Sequence, residues 1–577
     1  MILQALNAYY RRMATDKDSD IAPEGFQRQA IPFVVMLDGK GRFRGIQDTR
    51  QTDGKKKIAR TFIVPKAVKR SVGIEANLLW DNPAYVFGCS KPDKKKDGVK
   101  AAERAKEQQE SFIAKVKKNL PDSSDIGVNA VLQFLATRDF IGVFSHTLWP
   151  EIEEGGANIA FQLEGDTELV CQRDAVVNTI MKGKEDENET ASPCLVTGEM
   201  TVPARLHTAI KGVWGAQSAG ANIVSFNLDA FTSFGKTQGF NAPIGEKAEH
   251  AYTTAINTLL AKGSRQRIQV GDASTVFWAE RQNVMEELFK DFFGEPPKGQ
   301  SAQDNEAIKA LFKAPETGAP PLDSDLTKFY VLGLSPNASR IAVRFWYAGT
   351  VGCVAQNIRQ HFCDCSIVHS PREPEHLSLF RLLVSTAMEG KADNIQPNLS
   401  GEVMKAILSG NPYPKTLLSS AIRRIKAERE ITYPRASLIK AILVRESRFY
   451  NRKEKEVSMS LDPENKNTGY LLGRLFAVLE RAQEFASPGI NATIRDRFYG
   501  SASSTPVAAF PHLMKLKNHH IAKLENRGAA VNLEKQIGGI MEGVSDFPAY
   551  LSLQDQGRFA IGYYHQRQSF FVKKDSE

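Results

Sequence analysis

The stretch from 222 to 261, NIVSFNLDAFTSFGKTQGFNAPIGEKAEHAYTTAINTLLA, packs amide side chains, glycines and one lysine between two segments that read as ordered. Ile223 to Phe226 reads as a short strand. Gly235, Lys236, Thr237, Gln238, Gly239, Asn241 and Pro243 then read as a polar loop, and from Glu246 the Ala, Tyr and Leu spacing predicts a helix. Gly235-Lys236-Thr237 repeats the end of a phosphate-cradling GxxxxGK[ST] loop, but Ala230 stands at the first glycine position, with bulky Phe231 and Phe234 inside the loop. The stretch therefore does not read as a nucleotide cradle. One cation among carboxamides suits phosphate contacts and base edges better than proton transfer.

The whole chain sets the class. It has 577 residues, 42% hydrophobic and 24% charged, with a net charge of +9. Several domains and large buried cores are expected, and the charge favours a polyanionic partner. Six cysteines, Cys89, Cys171, Cys194, Cys353, Cys363 and Cys365, lack a framework spacing, which fits a reducing compartment. With no long apolar run and no secretory leader, the expectation is a cytoplasmic protein without a membrane span.

Along the chain, Leu3 to Tyr10 reads as an amphipathic helix, and Ile31 to Leu37 as a buried strand entering a hairpin at Asp38-Gly39. From Lys40 to Arg70 basic residues, including Lys55, Lys56, Lys57, Lys69 and Arg70, interleave with Phe43 and Phe62, the pattern of a nucleic-acid groove. Asn77 and Asn82 sit in a turn before Pro83, where amides serve either as base readers or as turn devices. Lys91 to Lys96 belongs to a lysine-rich loop, and Lys182 to Ser192 reads as an acidic exposed insertion. Strands are predicted at 140–144, 159–163, 275–278, 329–334 and 341–347. Gln217 lies in a second glycine-bearing polar turn.

From Val351 the pattern turns helical. Between Lys415 and Glu456 twelve Lys or Arg face five acids, which predicts a DNA-facing helical surface. After a charged connector, Leu461-Asp462-Pro463 reads as a new helix entry. Helices are expected over 471–485, 512–526 and 531–540, with a turn at 501–511, and Lys515, Lys517, Lys523 and Arg527 along one strand-binding helix. The fold expected is α+β: a mixed α/β region over 1–350, a basic helical region over 351–458 and a helical bundle over 459–577.

Catalytic chemistry is hard to place. His361, Cys363, Cys365 and His369 cluster, but Cys-x-Cys has no answering second pair, so a packed cluster is expected and no metal. His519-His520 lacks a carboxylate motif, and no acid/base pair stands out. A non-enzymatic nucleic-acid-binding subunit is the first reading and a nuclease with a dispersed site the alternative.

A resemblance sharpens this. Leu206-His207, Ile210-Lys211-Gly212-Val213, Gly215-Ala216-Gln217, Val224-Ser225-Phe226-Asn227, Gly235-Lys236-x-Gln238 and Asn241-Ala242-Pro243, with Phe277-Trp278-Ala279, Gly333 to Asn337 and Tyr470-x-Leu472-Gly473-Arg474, closely resemble the large subunit of the type I-C (Dvulg subtype) CRISPR Cascade. The resemblance runs nearly end to end. It implies a non-catalytic subunit beside the crRNA 5′ handle, contacting the backbone and handle-binding subunits, that recognises the protospacer-adjacent motif in double-stranded DNA and promotes R-loop formation. A recruited helicase-nuclease does the cutting, and no cofactor is implied. It also implies small-subunit copies translated internally, here from Met459. The residues themselves supply the expected DNA site, drawn from Asn77, Asn82, Lys55, Lys56, Lys57, Lys69, Arg70, Gln217, Lys236, Gln238 and Asn241.

Overall fold

The structure, a computed structural model, describes residues 1–16, 19, 21–54, 56–68, 70, 73–89, 98–121, 124–182, 191–294, 311, 325–452 and 457–571. Lys55, Lys69 and the Lys91 to Lys96 stretch lie outside them, as do 183–190 of the acidic insertion and 453–456 of the connector. Lys56 is described in its backbone alone. The architecture is α+β. Two compact units divide the chain, the first taking in 3–208 and 224–258, the second 209–223 and 259–577.

The first unit opens with helix α1 (Ile2–Thr15), then strands β1 (Phe26–Ala30), β2 (Phe33–Leu37), β3 (Phe43–Asp48), β4 (Arg50–Asp53), β5 (Lys56–Ala59), β6 (Thr61–Pro65) and β7 (Trp80–Asp81). Helices α2 (Pro83–Phe87), α3 (Gly98–Asn119), α4 (Ile126–Thr137), α5 (Ile141–Phe144) and α6 (Trp149–Gly155) follow, then β8 (Ile159–Leu163), α7 (Asp174–Met181) and α8 (Glu246–Leu259). The central sheet has the order β3-β2-β8-β7, with β2 and β8 parallel. That central place explains the unbroken apolar run of β2, whose Phe33, Val34, Val35 and Leu37 are all buried. The turn at 38–42 is held by Asp38, whose carboxylate accepts the N–H groups of Lys40 and Arg42. β1 pairs with β6, and β4 with β5 forms a separate two-stranded hairpin.

Two predicted strands are absent here. Residues 140–144 form the single turn of α5, because Phe140, Val143 and Phe144 carry a helical spacing that joins Phe87, Phe134 and Trp149 in one aromatic cluster. Residues 223–226 form no ladder. At that point the chain makes only isolated bridges, Ile210 to Ala221 and Asn222 to Arg340.

The second unit holds β9 (Arg267–Val270), β10 (Ala273–Ala279), β11 (Lys328–Asn337) and β12 (Arg340–Thr350), an antiparallel meander in chain order. Helix α9 (Met285–Phe293) is inserted within it. Then come α10 (Val351–Cys365), α11 (Leu379–Val384), α12 (Leu399–Ser409), α13 (Lys415–Glu428), α14 (Tyr433–Phe449), α15 (Thr468–Ala486), α16 (Ile494–Ser504), α17 (Pro506–Ala522), α18 (Arg527–Met541) and α19 (Leu553–Ser569). Residues 350 and 458, where boundaries were expected, both lie inside this second unit. Phe277 and Phe345 of the meander, Ile358 of α10, Leu418 of α13, Ile439 of α14 and Phe559 of α19 belong to one core. Lys426 of α13 also donates to Gln556 of α19 at 2.8 Å.

The bundle departs from its expectation in two ways. The predicted turn at 501–511 is a helix-to-helix joint at Thr505, with Pro506 in the first turn of α17, where its missing N–H costs nothing. Helix α19 carries no one-sided apolar period because its residues from Phe559 to Gln566 are all buried.

Candidate nucleic-acid interface

The basic stretch after β2 folds into strands, and its side chains divide into two groups. Arg50 is committed: it pairs with Asp48 at 2.7 Å and Glu151 at 2.6 Å, and lies over the Phe33 ring at 4.4 Å. Its hydrogen bond holds the Asp48 carboxyl below the usual range. Lys57 is exposed on the β4–β5 hairpin, with Glu151 at 3.9 Å. Arg60 leans over the Phe62 ring at 5.0 Å, and both line an open cavity of about 860 Å³ together with Gln47, Gln51, Gln162 and Thr167. A smaller cavity of about 200 Å³ shares Arg60, Phe62 and Thr167 and adds Arg28 and Gln172. The two adjoin at these three shared residues and make up one trough wall. Here Arg28, Arg60, the exposed Gln47 and Gln51 and the Phe62 ring stand beside the carboxylates of Asp48, Asp166 and Glu168, while Gln162 and Gln172 are already bonded to Asp166 and Ile63. Guanidinium groups, open amides and a ring suit phosphates, base edges and a base face.

Arg28, Gln47, Gln51 and Gln162 of this trough escape a linear reading. They come from four separate strands, and only pairing of β1 with β6 and of β2 with β3 and β8 brings them to one place. Strand alternation assigns each only to a side of its own strand.

The Asn77–Asn82 turn is organised inward. The Arg70 guanidinium pairs with Asp81, donates to the Glu75 carbonyl at 2.6 Å and covers Tyr85 at 3.8 Å. The same Asp81 accepts the N–H groups of Asn77 and Asn82, each at 2.9 Å. Asn77 is only 5% exposed and its Oδ1 accepts from Val68, while the Asn82 Oδ1 caps α2 by accepting from Ala84 and Tyr85. The structure therefore gives these amides and Arg70 work in the turn.

The loop of 228–241 is also cross-braced. Asn241 uses both donors, to the carbonyls of Lys236 at 3.0 Å and Gln238 at 3.1 Å, and accepts the Ser233 N–H at 3.1 Å. Gln238 accepts from Arg205 at 3.0 Å. Lys236 is exposed on this frame, and Gln217, in the other unit, is exposed as well.

Nearby, in the same unit as the loop, Glu249 of α8 is buried. Burial would raise its carboxyl, but Lys66 and the Thr208 N–H outweigh that and hold it below the usual range.

The helical cations were expected on a DNA-facing surface. Arg435, Lys440 and Arg445 are instead buried. Arg445 and Arg448 both pair with Asp364 of α10, at 3.1 and 2.7 Å, and Arg435 pairs with Glu428. A buried charge needs a partner, and Asp364 comes from α10, well before Lys415 in the chain. In the bundle, Lys515 and Lys517 lie on α17, Lys523 caps its end and Arg527 opens α18, so the four do not share one helix. Lys517 turns to Glu534 at 2.9 Å, whereas Lys515, Lys523 and Arg527 are exposed. His361 and Cys365 are buried and Cys363 is exposed on α10, with the His361 ring bonded to Tyr413 at 2.6 Å.

With that geometry in hand, the comparison with known families is decisive. The family model described as CRISPR-associated protein (Cas_Csd1) matches residues 6–571. The chain belongs to this family. No curated protein matches it at a significant level. In this Cas_Csd1 member, then, both units and the trough fall within the family's span. Among the described residues, no helix is long and apolar enough to cross a membrane.

Proposed function

We propose that the chain is the non-catalytic large subunit of a type I-C CRISPR RNA-guided surveillance complex. In this reading it sits beside the crRNA handle, contacts the backbone and handle-binding subunits, recognises the protospacer-adjacent motif in duplex DNA and promotes R-loop formation before a helicase-nuclease is recruited. The observation that carries the reading is the trough of Arg28, Arg60, Phe62 and glutamines in a chain matched by the family over nearly its whole length. Guide pairing reads the target in such systems, so the protein needs phosphate contacts and a few base contacts rather than a reaction centre.

Salt dependence of binding tests this. Each phosphate that a variant no longer neutralises should reduce the slope of log K against log salt by about 0.9, so Arg60→Ala and Lys236→Ala should each flatten it on duplex DNA. Unchanged slopes in both, or metal-dependent cleavage of DNA by the purified chain, would overturn the proposal.

The reading extends to a second product. Met459 is exposed beyond the charged connector, and the helices after it carry Lys515, Lys523 and Arg527 outward. We infer that a C-terminal product starting at Met459 joins the complex as small-subunit copies. Intact-mass measurement of the assembly from the wild-type gene should find it, and Met459→Ala should remove it.

A further inference from the structure

One aromatic side chain is displayed where the backbone disfavours it. Phe234 stands at the tip of the 228–241 loop with 98% of its surface exposed. Its φ is 52° and that of Gly235 is 72°, and Ser233 bridges Lys236 across them. A two-residue turn with both central φ values positive favours Asn, Asp or Gly, whereas a bulky side chain in the left-handed region is strained. The turn is nonetheless fixed. The Lys236 N–H donates to the Ser233 carbonyl at 2.9 Å, and Asn241 braces both sides of it. Strain that the surroundings impose on a solvent-facing aromatic gives the fold nothing back, which points to a ligand.

The surroundings select the ligand. Ser233, Gly235, Lys236 and Thr237, which flank the ring in the turn, are all exposed and polar or small. The other large exposed apolar side chain of this loop, Leu228, lies six residues away along the chain, so the turn itself is a polar tip with one cation and one ring. A protein partner is usually met by clustered apolar anchors, whereas an isolated ring beside a lysine is the pairing that stacks a base while neutralising its phosphate. We propose that Phe234 stacks on an unpaired nucleobase of bound nucleic acid, with Lys236 on the adjoining phosphate. This rests on the nucleic-acid reading above and adds to it a stacking residue and a preference for an unpaired base.

The test uses the full chain with two DNAs, a blunt duplex and the same duplex carrying a single-stranded overhang that contains 2-aminopurine. Phe234→Asn is the informative variant, because Asn suits the turn better than Phe and should keep or raise the melting temperature. It should weaken overhang binding about ten-fold, as expected for the removal of one base stack, and abolish the quenching of 2-aminopurine. Phe234→Trp should retain both, and blunt-duplex binding should change little in either variant. Unchanged overhang affinity and quenching in Phe234→Asn would overturn the proposal while leaving the trough reading intact. So would loss of partner-subunit capture with DNA binding unaltered, since the ring would then be a protein contact. Failure of the wild-type chain to bind either DNA would instead remove the nucleic-acid reading itself.

Discussion

A β-carbon on Gly473 of α15 would lie 2.0 Å from the carbonyl oxygen of Phe559 on α19, so the two helices meet backbone to backbone at this residue. Gly562 repeats the relation in reverse, its β-carbon falling 2.1 Å from the Tyr470 oxygen. Backbone cannot move aside as a side-chain tip can. Gly473→Ala is therefore expected to destabilise the second unit by about 2 to 3 kcal/mol. Gly538→Ala in α18, where nothing lies within 4 Å of the added carbon, should stabilise by about 0.5 kcal/mol. Chemical denaturation of both variants measures the contrast, and equal effects would refute it.

The Lys66–Glu249 pair, at 2.7 Å, joins the end of β6 to α8 across the first unit. Glu249 is 1% exposed, while the Lys66 side chain keeps 37% of its surface in solvent. Lys66→Met should thus cost about 2 kcal/mol, below the usual figure for breaking a fully buried pair, because solvent already screens one partner. The folded Glu249 carboxyl titrates below its unfolded range, so its contribution is present above the unfolded value and fades as pH falls through the folded one. In Lys66→Met that acid-side loss should begin at higher pH, which denaturation midpoints between pH 3 and pH 6 would register.

Two histidines make the second unit acid-sensitive at a higher pH. Burial, aided by Arg445, pushes His361 down to about 3, and burial with Lys440 pushes His565 down to about 4. The unfolded chain takes up these protons near pH 6.5 and the folded chain does not, so stability falls as pH drops from there towards 4. Together they should remove about 4 kcal/mol between pH 7 and pH 5. His565→Gln should flatten this dependence even if it lowers stability at pH 7. A variant whose stability kept the wild-type slope would contradict the assignment.

Asn82 caps α2, and its replacement should be felt as stability rather than as sequence preference. Asn82→Ala should lower unfolding free energy by about 1 kcal/mol, the usual cost of removing a cap. Asn77→Ala, which frees the Val68 N–H, should destabilise as well, and neither should alter discrimination between correct and scrambled flanking motifs. Gln217, exposed on its turn, is the amide expected to change discrimination, by about 1 to 3 kcal/mol for one base contact. Competition binding with the two targets checks all three variants.

The sequence by itself determined the order of parts. Period-two and unbroken apolar runs placed β2, β8 and the last three strands of the meander, though not β9, and the switch to helix at Val351 was readable because local periodicity needs only neighbours in the chain. The family, too, lies in the linear pattern. What a side chain does depended on partners far away. Of the cations between 415 and 456, Arg435, Lys440 and Arg445 look like surface residues until the fold buries them and sets Asp364 against Arg445 and Arg448. Asn77 and Asn82 are drawn into one turn by Asp81, which accepts their main-chain N–H groups, and Arg28, Gln47 and Gln162 come to adjoining cavities only when their strands pair. Phe234, which the sequence shows only as too bulky for a phosphate cradle, is revealed as an exposed ring by the turn that holds it. Burial and pairing are set by long-range contact, and only the tertiary structure fixes which charges and amides are consumed inside and which are left facing a ligand.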